Sequence, residues 1–264
     1  MEHAELSPQE ISLFMELGRA AKACLQAEGA CIELLGQPGA EMLECSTWAV
    51  MPASFNPPTL AHQEMLNWAL TRGGFHKALV LLDLRHADKA THQAHLLDRY
   101  AMVRLALLQD NTATLALASR GRFLDKAQAL AGLFPEGTSW SFLVGMDTLA
   151  RVLEPKFYQE PSRDLQDLFS RASFLVFERP GWSHVSLPEG LQGRIRLARL
   201  PEPLREISSS NIRMARQLGL PWKHQVTPQV AEFIERTGLY LGTPDIYEPR
   251  RKALERLMEE AQGG

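Results

Sequence analysis

The stretch MPASFNPPTLAH, Met51 to His62, decides how the rest of this chain is read. It follows an apolar run, TWAVM from Thr47 to Met51, and precedes a helical pattern, LAHQEMLNWALTRGG, that Gly73 and Gly74 close. A strand therefore turns into a helix here. In such a turn the backbone N–H groups of Ser54 and Phe55 can point at an anion. The helix beginning near Thr59 adds unpaired N–H donors and the positive end of its dipole. Thr59 and His62 are three positions apart, so both side chains lie on one face of the first helical turn. His62 can give a phosphate a charge-assisted hydrogen bond, and Thr59 a neutral one. Pro57 and Pro58 stiffen the approach without removing a helical hydrogen bond. The plain alternative is a strand–turn–helix with a surface histidine; the strand context and the flanking Ser-Phe-Asn-Pro weigh against it.

Outward from this corner, short apolar runs alternate with helical patterns. KALVLLDL (Lys77 to Leu84), TATLALAS (Thr112 to Ser119), SFLVG (Ser141 to Gly145) and ASFLVFE (Ala172 to Glu178) read as strands, with RIRLARL (Arg194 to Leu200) as a sixth. Helical patterns HLLDRYAMVRLALLQD, FLDKAQALAGLF and MDTLARVL lie between them. Continuous apolar strands alternating with helices predict an α/β fold: a Rossmann-like, doubly wound parallel sheet covered on both faces. Ligands of such sheets bind beyond the carboxyl ends of the strands, which is where the opening stretch lies. Ahead of the sheet, Ser7, Pro8 and Glu10 predict the capped start of an N-terminal helix. From about Ser208 the chain turns helical again, with SSSNIRMARQLG, TPQVAEFIERTGLY and a charged terminal helix EPRRKALERLMEEAQ.

The bulk composition sets limits. The 264 residues are 45% apolar and 22% charged, a globular balance. A net charge of −3 argues against electrostatic nucleic-acid binding by the whole surface. No apolar run reaches the roughly 20 residues of a membrane helix, and the acidic MEHAELSPQE lacks an apolar leader, so the expectation is cytoplasmic. Cys24, Cys31 and Cys45 fit no zinc spacing and read as reduced thiols.

Two further stretches carry chemistry. EISSSNIR (Glu206 to Arg213) sets Ser208, Ser209 and Ser210 at a helix start, with the Arg213 fork one turn in: a second anion cradle, or an ordinary serine cap. LVGMDTLARVLEPKFY ends a strand at Gly145, where a missing side chain lets a ligand approach. Asp147 there is either a ribose or amide acceptor or a helix N-cap. Trp182, after Arg-Pro-Gly, is a candidate to stack on a base or pyridine ring. His86, His92 and His95 with Asp83 and Asp88 fit no closed metal motif. Arg194, Arg196 and Arg199 read as a solvated strand face.

SFNPPTLAH followed about 150 residues later by ISSSNIR resembles the nucleotidylyltransferase superfamily, and within it the nicotinamide/nicotinate mononucleotide adenylyltransferases. GMDTLARVLEPKFY, LVFERPG, SRGRFLDKAQAL and TPQVAEFIERTGLY resemble segments of the same proteins. The resemblance covers roughly Thr47 to Tyr240. It implies a nucleotide-binding core over 46–205, an N-terminal helical extension over 1–45, and a C-terminal helical part over 206–264. It further implies ATP, with Mg²⁺ held mainly by its phosphates. The phosphates would lie against Ser54, Phe55, Thr59, His62, Ser208, Ser209, Ser210 and Arg213, with Lys89 as a further candidate. The acceptor mononucleotide would meet Asn56, Gly145, Asp147, Arg179 and Trp182. His62, Thr59 and Arg213 would serve catalysis as donors to the transferring phosphate, with no protein nucleophile and no protein-bound metal. The chain departs from the family pattern at Ala53, where glycine is usual, and at Ala61 and Ser210. A different phosphorylated acceptor such as phosphopantetheine, and a nucleotide sensor without turnover, stay open alternatives. So does a homo-oligomer.

Overall fold

In a computed structural model the chain is described over residues 6–36, 47–84, 94–108, 113–182, 190–242 and 244–263. Seven strands form one sheet: β1 (Ile32–Leu35), β2 (Thr47–Ala53), β3 (Lys77–Asp83), β4 (Ala113–Ala118), β5 (Ser139–Gly145), β6 (Ser173–Phe177) and β7 (Ile195–Ala198). Their order is β1-β4-β3-β2-β5-β6-β7, and every pairing is parallel except β1 with β4. The chain steps from β2 outward to β4, then returns to the other flank of β2 at β5. The switch point therefore lies between the carboxyl ends of β2 and β5, where open α/β sheets place ligands.

Both faces are covered, which is why the strands read as continuous apolar runs. Along β2, Ala49 and Met51 point into one core layer, and Trp48 and Val50 into the other. The first layer is roofed by α2 (Leu60–Thr71), α3 (Leu96–Leu107) and α8 (Pro228–Thr237). The second is roofed by α4 (Phe123–Leu133), α5 (Met146–Val152) and α6 (Pro161–Arg171). The doubly wound architecture follows the sequence expectation. Two elements do not: β1 and α6 were unassigned, and the sixth expected strand shortens to Ile195–Ala198.

The ends of the chain pack together. α1 (Pro8–Gln26) has the expected capping box, Ser7 with Glu10. It lies along α9 (Pro244–Gly263) so closely that a Cβ at Gly18 would collide with Ala261. Arg250, 1% exposed, pairs with Asp98 of α3 at 2.7 Å and with Glu10 at 3.0 Å. Glu10 also meets Arg236 at 3.6 Å. The Tyr247 hydroxyl donates to Asp98 Oδ2 (2.8 Å) and accepts the His95 N–H (2.9 Å), which fixes the start of α3. No helix of the described residues is long and apolar enough to cross a membrane.

Candidate active site

At the carboxyl end of β2 the chain turns sharply. Phe55 adopts φ 47°, a left-handed conformation that a bulky residue enters only at a cost of about 1–2 kcal/mol. Its buried ring packs on His62, with centroids 5.3 Å apart. Thr59 is the N-cap of α2. Its Oγ1 accepts the His62 N–H at 3.3 Å, and its own N–H donates to His62 Nδ1 at 3.0 Å. This is a capping box in which histidine takes the usual glutamate position. Because Nδ1 accepts, the ring proton resides on Nε2. Burial, and then the charge of Arg179, push the His62 pKa down to about 4. The expectation of a charge-assisted donor is corrected accordingly: in the free protein His62 is neutral at pH 7 and offers a neutral Nε2–H.

The second turn docks directly on the first. Arg213 Nη1 donates to the Asn56 carbonyl at 2.6 Å, and Ser209 Oγ donates to the Pro57 carbonyl at 2.8 Å. Ser208 caps α7 (Ser209–Gln217) by accepting the Asn211 N–H at 3.1 Å. Ser210 Oγ accepts from Arg213 Nη2 at 3.2 Å. The three serines thus do three different things: one caps, one ties the turns, one steadies the arginine. Asn56, 1% exposed, takes hydrogen bonds on Oδ1 from Tyr240 (2.7 Å) and from the Ala94 N–H (3.3 Å). Its Nδ2 is buried without a partner among the described residues.

At the carboxyl end of β5, Gly145 itself is the N-cap of α5, so Asp147 is not. Asp147 Oδ1 instead meets Arg179 Nε at 3.3 Å. A Cβ at Gly145 would sit 2.5 Å from that oxygen and 3.0 Å from Arg179 Nε, so glycine is required for the pair to fit. Trp182 closes the turn after Arg179 and is 43% exposed, free to stack. Lys89, with His86, Asp88 and His92, lies outside the described residues. His95 is the N-cap of α3, its Nδ1 accepting the Leu97 N–H; among the described residues no group of three or more metal-binding side chains assembles. Arg196 is not merely solvated: it donates to the Gly73 carbonyl (2.7 Å) and lies over Trp68 and Phe75.

Sequence reasoning named neither Arg99 nor Lys126, and met Asp83 only in a metal motif that did not close. Arg99 Nη1 donates to the carbonyls of Ser54 (3.1 Å) and Asp83 (3.0 Å), the ends of β2 and β3. Lys126 pairs with Asp83 at 2.8 Å. The available signal was a cation on each of two otherwise apolar helical faces. The distant carbonyls they serve left no local trace.

Comparison with known proteins gives the same outline. Residues 50–215 match the protein family described as cytidylyltransferase-like. A putative nicotinamide mononucleotide adenylyltransferase of Schizosaccharomyces pombe is 33% identical over 135 residues, which are 49% of this chain and 52% of that protein. The chain thus spans about half the length of that relative. A probable nicotinate-nucleotide adenylyltransferase of Shouchella clausii is 28% identical over 194 residues, 71% of this chain and 93% of that protein. The fold is similar to that of Plasmodium falciparum nicotinic acid mononucleotide adenylyltransferase complexed with NaAD, with TM-score 0.60 and 18% identity over 75% of this chain and 98% of that one.

Proposed function

This chain belongs to the cytidylyltransferase-like family, and we propose that it transfers AMP from ATP to the phosphate of nicotinate or nicotinamide mononucleotide. The products are a dinucleotide and pyrophosphate. The observation that carries this reading is the junction of the two turns, Arg213 on the Asn56 carbonyl and Ser209 on the Pro57 carbonyl. It gathers helix N-termini, hydroxyls and a guanidinium at one end of the sheet, a donor set that suits a polyphosphate. The relatives' names support the acceptor class.

In the proposed reaction an acceptor phosphate oxygen attacks the α-phosphorus in line. The bond to the bridging oxygen breaks, and pyrophosphate leaves with the electron pair. The protein lends no nucleophile; it positions the reactants and aims donors at growing charge. His62 Nε2–H, the α2 N-terminus and Arg213 are those donors. His62, neutral and held through Nδ1 by Thr59, is an oriented donor rather than a base. Magnesium enters as part of the substrate, MgATP, carried by the phosphates. Gly145 leaves room for the acceptor beside the Asp147–Arg179 pair, and Trp182 offers a stacking face.

The test is a product assay. The purified chain is incubated with ATP, Mg²⁺ and, separately, nicotinate mononucleotide, nicotinamide mononucleotide and phosphopantetheine, and the products are separated chromatographically. The expected result is a pyridine dinucleotide and an equal amount of pyrophosphate. ATP binding with no pyrophosphate from any acceptor would overturn the transferase reading in favour of a nucleotide sensor.

A further inference from the structure

Two cationic side chains are buried behind the first turn, beside the half-buried Asp83. Arg99, 5% exposed, bridges the carbonyl ends of β2 and β3 at Ser54 and Asp83. Lys126, 3% exposed, pairs with the Asp83 carboxylate and donates to the Gly121 carbonyl at 2.8 Å. Among the described residues no carboxylate lies within ion-pairing distance of Arg99. Among the described residues, these two cations set against one anion leave one surplus positive charge. An uncompensated interior charge is expensive, and interiors normally pair such groups or neutralise them. Here the surplus sits against the carbonyl of Ser54, the first residue of the turn.

We infer that Arg99, Lys126 and Asp83 form a counter-charge cluster for the polyphosphate, with Arg99 the residue that positions the turn. Its guanidinium holds the Ser54 carbonyl inward, which leaves the opposite edge of the peptide backbone for the ligand. Its charge finds its balance when an anion occupies the turn. Arg99 touches no substrate and acts through Ser54. The inference rests on the reading that the first turn takes phosphates, and it predicts that affinity grows with phosphate number beyond what contacts alone supply.

Equilibrium binding of ATP, AMP and adenosine to the full chain, by titration calorimetry, separates charge from architecture. Arg99→Gln and Lys126→Met each remove one positive charge. Both should weaken ATP binding at least tenfold, AMP less, and adenosine less than twofold. Asp83→Asn removes the one negative charge and should tighten ATP about threefold. If Arg99→Gln fails to fold, Lys126→Met and Asp83→Asn still shift the cluster in opposite directions without touching the Ser54 carbonyl. Equal losses for ATP and adenosine, or an Asp83→Asn variant that binds ATP no more tightly, would overturn the cluster's role. These readings need no turnover: a chain inactive in the product assay that still shows the charge-dependent pattern loses the transferase reading and keeps this one.

Discussion

The molecule gathers two knots of charge around buried arginines and builds them differently. Where α1, α3 and α9 meet, Glu10 and Asp98 face Arg236 and Arg250, two anions against two cations. Behind the first turn, and among the described residues, Lys126 pairs with the Asp83 carboxylate while Arg99 meets only the carbonyls of Ser54 and Asp83. The first knot neutralises itself and joins the ends of the chain. The second is left in surplus beside the candidate phosphate turn. Burial alone would not tell the two apart, since Arg250 and Arg99 are 1% and 5% exposed. Charge pairing among the described residues does: Arg250 meets two carboxylates, whereas Arg99 meets only backbone carbonyls.

The sharpest way to break this contrast is Arg250→Met. It strands Asp98, which is 0% exposed, without its cation, and stability should drop by about 3–5 kcal/mol in urea unfolding. The KM for either substrate should not move in the fraction that stays folded; a selective rise in KM would tie this knot to the site. His62→Ala should do the reverse. Removing an aimed donor raises the barrier by roughly 2.7–4 kcal/mol, a 10²–10³-fold loss of turnover with the circular dichroism intact. Unchanged turnover would remove His62 from the mechanism.

Acid sharpens the contrast, because each region holds one histidine that burial pushes down to about 4: His62 at the turn, and His95 beside Tyr247. Both are neutral when folded, whereas an unfolded histidine takes its proton near pH 6.5. The unfolded state therefore binds more protons between about 6.5 and 4, and stability falls as pH drops through that window. Each group should contribute on the order of 1–3 kcal/mol, measured by denaturant unfolding at pH 7, 5.5 and 4.5. His62→Gln should flatten part of that slope and leave the His95 part. A profile unaffected by the substitution would show His62 to be solvated. The smallest expected effect is that of Ser209→Ala, which removes one hydrogen bond between the turns, about 0.5–1.5 kcal/mol. It should raise the ATP KM severalfold while the melting temperature shifts by only a few degrees. A loss confined to stability would make Ser209 a strut and nothing more.

What could be read from the sequence followed a physical rule. β2, β3, β5 and β6 are buried on both faces, so they announce themselves as apolar runs. The two turns announce themselves by proline and serine, whose backbone roles are local. β1 was invisible because Ile32-Glu33-Leu34-Leu35 is four residues at an edge, only one of them fully buried, and the residues it pairs with, Leu115 to Ala118, lie far along the chain. α6 could have been found: Pro161 opens it, and Leu165, Leu168 and Phe169 make its apolar stripe. His62 was expected to act as a charged donor, but burial that only the assembled fold provides pushes its pKa down to about 4. Arg99 was unreadable for a related reason. An arginine in an apolar helix signals that something must receive it, but the Ser54 carbonyl lies 45 positions away.

The bond from Arg250 to Glu10 spans 240 positions of sequence, so a helix made late holds one made much earlier. Until α9 has been made, α1 lacks the neighbour that packs on it, and Asp98 lacks the Arg250 guanidinium. The sheet can gather earlier, strand by strand, as the nascent chain lengthens. Closure of the seam between α1 and α9 must therefore wait until Arg250 has been made. A cut just before Pro244 would leave both turns of the candidate site in place and α1 unfastened.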